Sequence, residues 1–429
     1  MDEIRRQSAI AAPFMIRAAL TVALILIVGL NPAKAFAQGT WTESAPDPTP
    51  RWWSAIGSTG DTVAVAGGFS PSLGNLTEVE RFPCGTDTGW CGKPSMLSAQ
   101  TAPAYAGDFI VAGGNNGPGP VATFSMSSIP GPWSTGTPMP TARKAPAGAL
   151  AGGLFYVMGG NTGSAVTGVV EVYNSSSNSW TSVAQMPTPR SDLGADTING
   201  IIYAAGGSDG SSSVLDTLEA YDPNTNAWTT KASMPTARAD LAVVALYGLL
   251  YAIGGRGADG SPLTTVEAYD PVTDAWTTEP SMPTARWGLV ADVTDAEGCG
   301  QCASVPAIYA IGGALDAAGT TATGANEYFV PQCGTLNVTP TSLRFKAKGT
   351  KAVTVTNTGS VNVGMLSTTF DDALGFVLTD ACSGNALAPS GSCVVTVKSK
   401  KRNGRKVTQT LTITDSACNS PQTVGVTGR

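Results

Sequence analysis

No histidine occurs in the 429 residues, so the commonest metal ligand and the usual general base near neutral pH are both missing. The side chains best suited to chemistry are arginines at regular intervals: Arg51, Arg143, Arg190, Arg238 and Arg286. A planar guanidinium fork suits a carboxylate or a phosphate. Two of the five precede indoles, Arg51 before Trp52 and Trp53, and Arg286 before Trp287. An aromatic face beside a guanidinium suits a sugar ring or an aromatic side chain. Two readings stand open. Each arginine can pair with an acidic side chain or strand-end carbonyls as scaffold, with the indoles packed between repeats. Or Arg51, Trp52, Arg143, Arg190, Arg238, Arg286 and Trp287 can meet a ligand. No metal or cofactor is expected.

Cysteines and the N-terminus give an address. Arg5, Arg6 and Arg17 precede an apolar run from Ala18 to Leu30, and Ala35-Phe36-Ala37 offers a cleavage site, so residues 1–37 read as a secretory signal. The run is short for a membrane span, and none is expected in the mature chain. Eight cysteines in an exported chain favour disulfides. Local strand logic selects Cys84–Cys91, Cys299–Cys302 and Cys382–Cys393, which leaves Cys333–Cys418. Cys299-x-x-Cys302 lacks the second ligand pair that zinc needs.

Charge divides the chain. Residues 38–332 hold 10 Lys and Arg against 25 Asp and Glu, whereas residues 333–429 hold 11 against 4. The acidic part is a poor partner for nucleic acid, which rewards phosphate-neutralising cations. Lys398, Lys400, Lys401, Arg402, Arg405 and Lys406 in the basic part read as a solvated hairpin or as a contact to an anionic surface.

The elements that position the arginines form a repeat of about 48 residues. Leu218-Glu219-Ala220-Tyr221-Asp222-Pro223, Trp228, Met234-Pro235-Thr236-Ala237-Arg238, Tyr251 and Gly254-Gly255 recur one period earlier and one later. Gly-Gly pairs stand at 67–68, 113–114, 159–160, 206–207, 254–255 and 312–313, each ending an apolar run. A period in the forties built of short alternating runs predicts four strands per repeat in a radial β-propeller. Five tryptophans, Trp90, Trp133, Trp180, Trp228 and Trp276, begin outer strands, and Trp41 stands ten residues before Arg51 as Trp133 does before Arg143. Trp41 is therefore expected to complete the sixth blade as an N-terminal clasp, removing two open sheet edges. The second repeat is irregular, with Gln100 where the arginine belongs.

The markers Gly-Gly, Glu-x-Tyr-Asp, Trp and Met-Pro-x-x-Arg resemble the kelch repeat. That resemblance implies an all-β, six-bladed propeller over residues 38–332, in which arginines near the link line the pocket of partner-binding members. After Pro331 the strands alternate differently, as in Val353-Thr354-Val355-Thr356-Asn357-Thr358-Gly359 and Thr410-Leu411-Thr412-Ile413-Thr414-Asp415. They predict a β-sandwich over 333–429 that looks like the immunoglobulin-like modules of the ASPM/SPD-2/hydin type. Strand direction puts the Met-Pro-x-x-Arg link and the loop after Gly-Gly on one face, with the sandwich beneath the other.

The expected function is an exported, monomeric recognition module that binds a glycan or a protein on the arginine face. Its sector shared by blades one and six, with Arg51, Trp52, Arg286 and Trp287, is the expected site. An enzyme resembling the periplasmic sialic-acid epimerase is the alternative, and would need an Asp or Glu base beside an Arg. A structural envelope role is the second alternative. The copper chemistry of galactose oxidase-like propellers is excluded, because its site requires histidines.

Overall fold

The structure, a computed structural model, describes residues 39–84, 89–107, 110–127, 132–211, 213–295, 306–331, 334–359, 363–370, 376–399, 407–415 and 422–428. Among them the regular structure is all strand, with no helix. Residues 40–330 form six four-stranded antiparallel sheets, an arrangement consistent with a β-propeller. The third is representative, with strands Ala147–Ala151, Leu154–Met158, Val170–Asn174 and Ser179–Val183 in chain order. Its second and third strands are almost wholly buried, because neighbouring sheets cover both faces. A strand covered on both faces reads as a continuous apolar run, as Phe155-Tyr156-Val157-Met158 does. The fourth strand is largely exposed.

Three cyclic sets of hydrogen bonds hold neighbouring sheets together. In the outermost set each sheet's tryptophan Nε1 donates to a carbonyl beside the previous sheet's outer strand. The pairs are Trp41 to Pro280, Trp90 to Ala45, Trp133 to Pro94, Trp180 to Thr137, Trp228 to Ala184 and Trp276 to Ala232, at 2.8–3.1 Å. In the second set the later glycine of each Gly-Gly pair donates to the residue at the arginine position of the next sheet, from Gly68 to Gln100 round to Gly313 to Arg51. Both glycines adopt positive φ, and a Cβ on the first, as at Gly206, would stand 2.5 Å from that carbonyl. Only glycine admits so close an approach at that φ. The third set lies at the centre and belongs to the site.

Sheet six closes the circle. Its strand order is Thr40–Glu43, Asn326–Val330, Pro306–Ile311 and Val290–Asp295, with Trp41 opposite Phe329. The Trp41 ring stacks on Phe329 at 5.2 Å. The first and last segments of residues 40–330 thus share one sheet.

Residues 336–428 build two further sheets that share one core. Val338, Val353, Val355, Val395 and Val397 from the first meet Leu343, Phe345, Leu411, Ile413, Val424 and Val426 from the second. Alternation sets the faces: Leu411, Ile413 and Asp415 point in, and Thr410, Thr412 and Thr414 are partly exposed. Two of the four expected disulfides are present, Cys84–Cys91 and Cys382–Cys393, with Cα separations of 5.6 and 5.4 Å. Cys299, Cys302, Cys333 and Cys418 lie outside the described residues, as do the signal-like segment and the basic run 400–406.

Candidate functional site

The five repeated arginines are inside the sheets. Arg51, Arg143, Arg190, Arg238 and Arg286 have no exposed surface at all. Each pairs with a glutamate on the third strand of its sheet: Arg51 with Glu80, Arg143 with Glu171 at 3.0 Å, Arg190 with Glu219 at 2.5 Å, Arg238 with Glu267 at 2.8 Å, and Arg286 with Glu327 at 2.6 Å. The other glutamate oxygen accepts from the threonine two residues before the arginine, as Thr188 Oγ1 does at 2.8 Å from Glu219. A terminal nitrogen also donates to a strand carbonyl, Val157, Ala204, Ala252 or Ala310. The expectation that these arginines supply donors to a ligand is therefore revised. Their terminal nitrogens are spent on the sheet that carries them, and a side chain without exposed surface offers no contact.

The tryptophans of sheets one and six do come together, but as a core. Trp52, Trp287 and Ala314 form a buried cluster against Trp53, Phe69 and Ala322. Trp52 and Trp287 retain only 4% and 6% exposure, with ring centroids 5.9 Å apart. Their rings are tilted against each other within the cluster, and at this burial neither presents a stacking surface to a ligand. Trp53 alone of the three is half-buried and lines the two cavities described next.

What faces the centre is the residue two after each arginine, or after Gln100 in sheet two: Trp53, Ala102, Ala145, Asp192, Asp240 and Gly288. All six have positive φ, between 47° and 64°. Their backbones form the third cyclic set, each N–H donating to the preceding member's carbonyl: Ala102 to Trp53, Ala145 to Ala102, Asp192 to Ala145, Asp240 to Asp192, Gly288 to Asp240 and Trp53 to Gly288, at 2.7–3.0 Å. This ring is the lip of the central channel. On its inner side is a cavity of about 80 Å³ lined by Tyr105, Pro146, Leu193, Leu241 and Val243, with all six ring residues. On the other side is a bowl lined by Thr101, Asn115, Lys144, Asn161, Ser191, Ser208 and Arg256.

Trp53 crosses the lip. Its indole lies over Gly288, where a Cβ would stand 3.1 Å from Trp53 Cδ1. Its Nε1 donates to Asp240 Oδ1 at 2.8 Å, from sheet one to sheet five. The other oxygen, Asp240 Oδ2, accepts from Arg256 Nε. Asp240 is nearly buried, and burial, with the Asp192 carboxylate nearby, pushes its carboxyl up to about 7 against the opposing pull of Arg256. Arg256 is 37% exposed, lies 5.7 Å from the Trp287 ring, and borders both the bowl and a groove formed by Ser208, Gly210, Val214 and Gly257–Gly260. Its terminal nitrogens make no hydrogen bond among the described residues. On the first strand of sheet four the Asp196 carboxyl is raised to about 6 by burial, although Ala245 and Thr197 N–H groups donate to it. Among the described residues no group of three or more metal-ligating side chains is assembled.

Asp192, Asp240 and Arg256 lie outside the set of site residues expected from the sequence. The signal was there: Arg256 is the one cation that directly follows a Gly-Gly pair, where the other repeats have Phe69, Asn115, Asn161, Ser208 and Ala314.

Residues 99–297 match a family model described as the KLHDC2/KLHL20/DRC7 Kelch-repeats domain, which supports a kelch-repeat protein. A search of the curated proteins gave no match.

Proposed function

We propose that the chain is an exported, six-bladed kelch propeller, closed by its N-terminal strand and followed by an immunoglobulin-like sandwich, that binds a partner protein in the bowl. Kelch repeats generally serve protein interaction, which favours a polypeptide over a sugar. The mutual burial of Trp52 and Trp287 also weakens the glycan reading. Two disulfides favour an oxidising compartment. One observation carries the choice of site. Arg256 is held by its Nε against Asp240 and lies over the Trp287 ring, while its terminal nitrogens make no hydrogen bond among the described residues at the junction of bowl and groove. A pre-oriented guanidinium loses little freedom on docking a carboxylate. With Lys144 also lining the bowl, it fits an acidic side chain of an extended partner segment.

An array of acidic peptides, probed with wild type, Arg256→Ala and Lys144→Ala, tests this. Binding that falls at least tenfold in Arg256→Ala, without loss of folding, is expected. Binding unmoved by either substitution would refute it.

A second reading has its own support in Asp240, a carboxyl poised near neutrality beside an arginine, the pair that an epimerase-like enzyme requires. Optical rotation of sialic-acid anomers decides it. Mutarotation faster than the uncatalysed rate, and lost in Asp240→Asn, would replace the binding reading.

A further inference from the structure

The charged groups at the lip are few enough to follow individually. Asp240 is faced by Trp53 from sheet one, by Arg256 from its own sheet and by Asp192 from sheet four. Lys144, from sheet three, lines the same bowl. With Asp192 and the adjoining Asp240 both ionised, two anions offset the two cations Lys144 and Arg256, and an anion entering the bowl meets little net attraction. Protonating Asp240 leaves one positive charge over.

Geometry couples that proton to Arg256. The ionised carboxylate accepts two donors at once, the Trp53 indole N–H on Oδ1 and the Arg256 Nε–H on Oδ2. A protonated carboxyl keeps Oδ1 as acceptor for the indole, while its Oδ2 hydroxyl, now neutral, is a weaker acceptor for the Arg256 N–H. The Arg256 charge is then no longer offset by Asp240, so an anion in the bowl meets a stronger field from the same held guanidinium, while Trp53 stays tied. Conversely, an anion docked on Arg256 places a second negative charge near a buried carboxylate, which favours uptake of a proton there.

We propose that the bowl is a proton-coupled anion site, in which docking of an anion on Arg256 draws a proton from solvent onto Asp240, so that affinity rises as the pH falls through neutrality. This rests on the reading of Arg256 as the docking residue. The raised carboxyl of Asp240 sets the range in which the coupling operates, and the buried position of that carboxyl is what raises it. Reciprocity follows: whatever tightens the anion by a given factor tightens the proton by the same factor.

Sulfate is a suitable probe, because its charge is constant from pH 5.5 to 8.5. Titrating sodium sulfate into the full chain at fixed ionic strength, with tryptophan fluorescence as readout, should give a dissociation constant about tenfold lower at pH 5.5 than at pH 8.5. Asp240→Asn mimics the protonated state, since its Oδ1 can still accept from Trp53. It should bind sulfate equally at both pH values and as tightly as wild type at pH 5.5. The variant retains Asp196, the other carboxyl that titrates nearby, so a pH dependence that survives in it overturns the proposal. Equal affinity of wild type at both pH values, with binding still abolished by Arg256→Ala, also overturns the coupling and leaves the docking site standing. If neither wild type nor Asp240→Asn binds sulfate at either pH, the docking site itself fails, and this proposal with it. Circular dichroism at both pH values checks that each variant is folded.

Discussion

The same guanidinium is buried five times, and each time a glutamate, itself buried in four of the five sheets, pairs with it and accepts from a partly buried threonine. Removing one partner of such a pair leaves the other charge enclosed without compensation, a loss of about 3–5 kcal/mol. Arg190→Ala and Arg286→Ala should therefore destabilise alike in chemical denaturation, and a variant with unchanged stability would show that the pairs are dispensable. The repeated arginine was legible in the sequence, but its partner was not. A strand glutamate and a link arginine stand about 29 residues apart, and nothing in their spacing distinguishes two groups that meet each other from two that meet a ligand. The raised carboxyls give a second prediction at this scale. Asp196 and Asp240 hold protons in the folded state up to about pH 6 and 7, where the unfolded chain releases them near pH 4. The folded state thus binds more protons between those limits, so stability falls as the pH rises from about 4 to 7 and levels off above. At about 1.4 kcal/mol per pH unit of displacement, Asp196 contributes on the order of 3 kcal/mol to that fall. Thermal melts of Asp196→Asn between pH 5 and 8 should show a shallower decline than wild type. An identical slope would remove Asp196 from the account.

At the scale of the element, sheet two tests the pairing rule by breaking it. Gln100 replaces the arginine, and register places Ser125 opposite Val111, where sheet three has Glu171 opposite Val157. Both members of the ion pair have gone together. Gln100 Nε2 donates instead to Thr123 and Ser98, and its carbonyl still receives Gly68 N–H, so the backbone link outlives the side-chain pair. The missing arginine is legible in the sequence but the missing glutamate is not, because the short strand Phe124–Met126 offers no Tyr-Asp to align on. Restoring the pair is a direct check. Gln100→Arg alone and Ser125→Glu alone each bury an unpaired charge and should cost several kcal/mol. The double variant should recover to within about 1 kcal/mol of wild type, a coupling that a double-mutant cycle reads. Additive losses would mean that sheet two has closed around the smaller side chains. Element periodicity was readable because turns and buried strands repeat. The lip was not, since Trp53, Asp192 and Asp240 share only a backbone conformation, and the sequence shows side chains.

For the whole molecule the decisive fact is that three independent cyclic sets of hydrogen bonds pass through the same junction, between sheets six and one. The clasp strand contributes to it directly. Thr40–Glu43 supplies the outer strand of sheet six, Trp41 Nε1 reaches Pro280 beside the outer strand of sheet five, and Ala45 O receives Trp90 of sheet one. Deleting residues 39–44 would leave the edge Asn326–Val330 open and take the Trp41 ring from Phe329. Losing that partly buried indole alone costs up to about 3 kcal/mol, which in a chain of this size lowers Tm by up to about 5 °C. The exposed edge adds a second signature, because an unpaired strand offers its N–H and C=O groups to another chain. The truncated protein should therefore melt earlier and also self-associate, and a synthetic peptide spanning residues 39–44 should reverse both effects by refilling the edge. Calorimetry and sedimentation velocity read the two independently. An unchanged Tm in a monomeric truncated protein would mean that the central lip and the glycine links close the circle without the clasp. A lower Tm without self-association would instead confine the clasp to the local packing of Trp41.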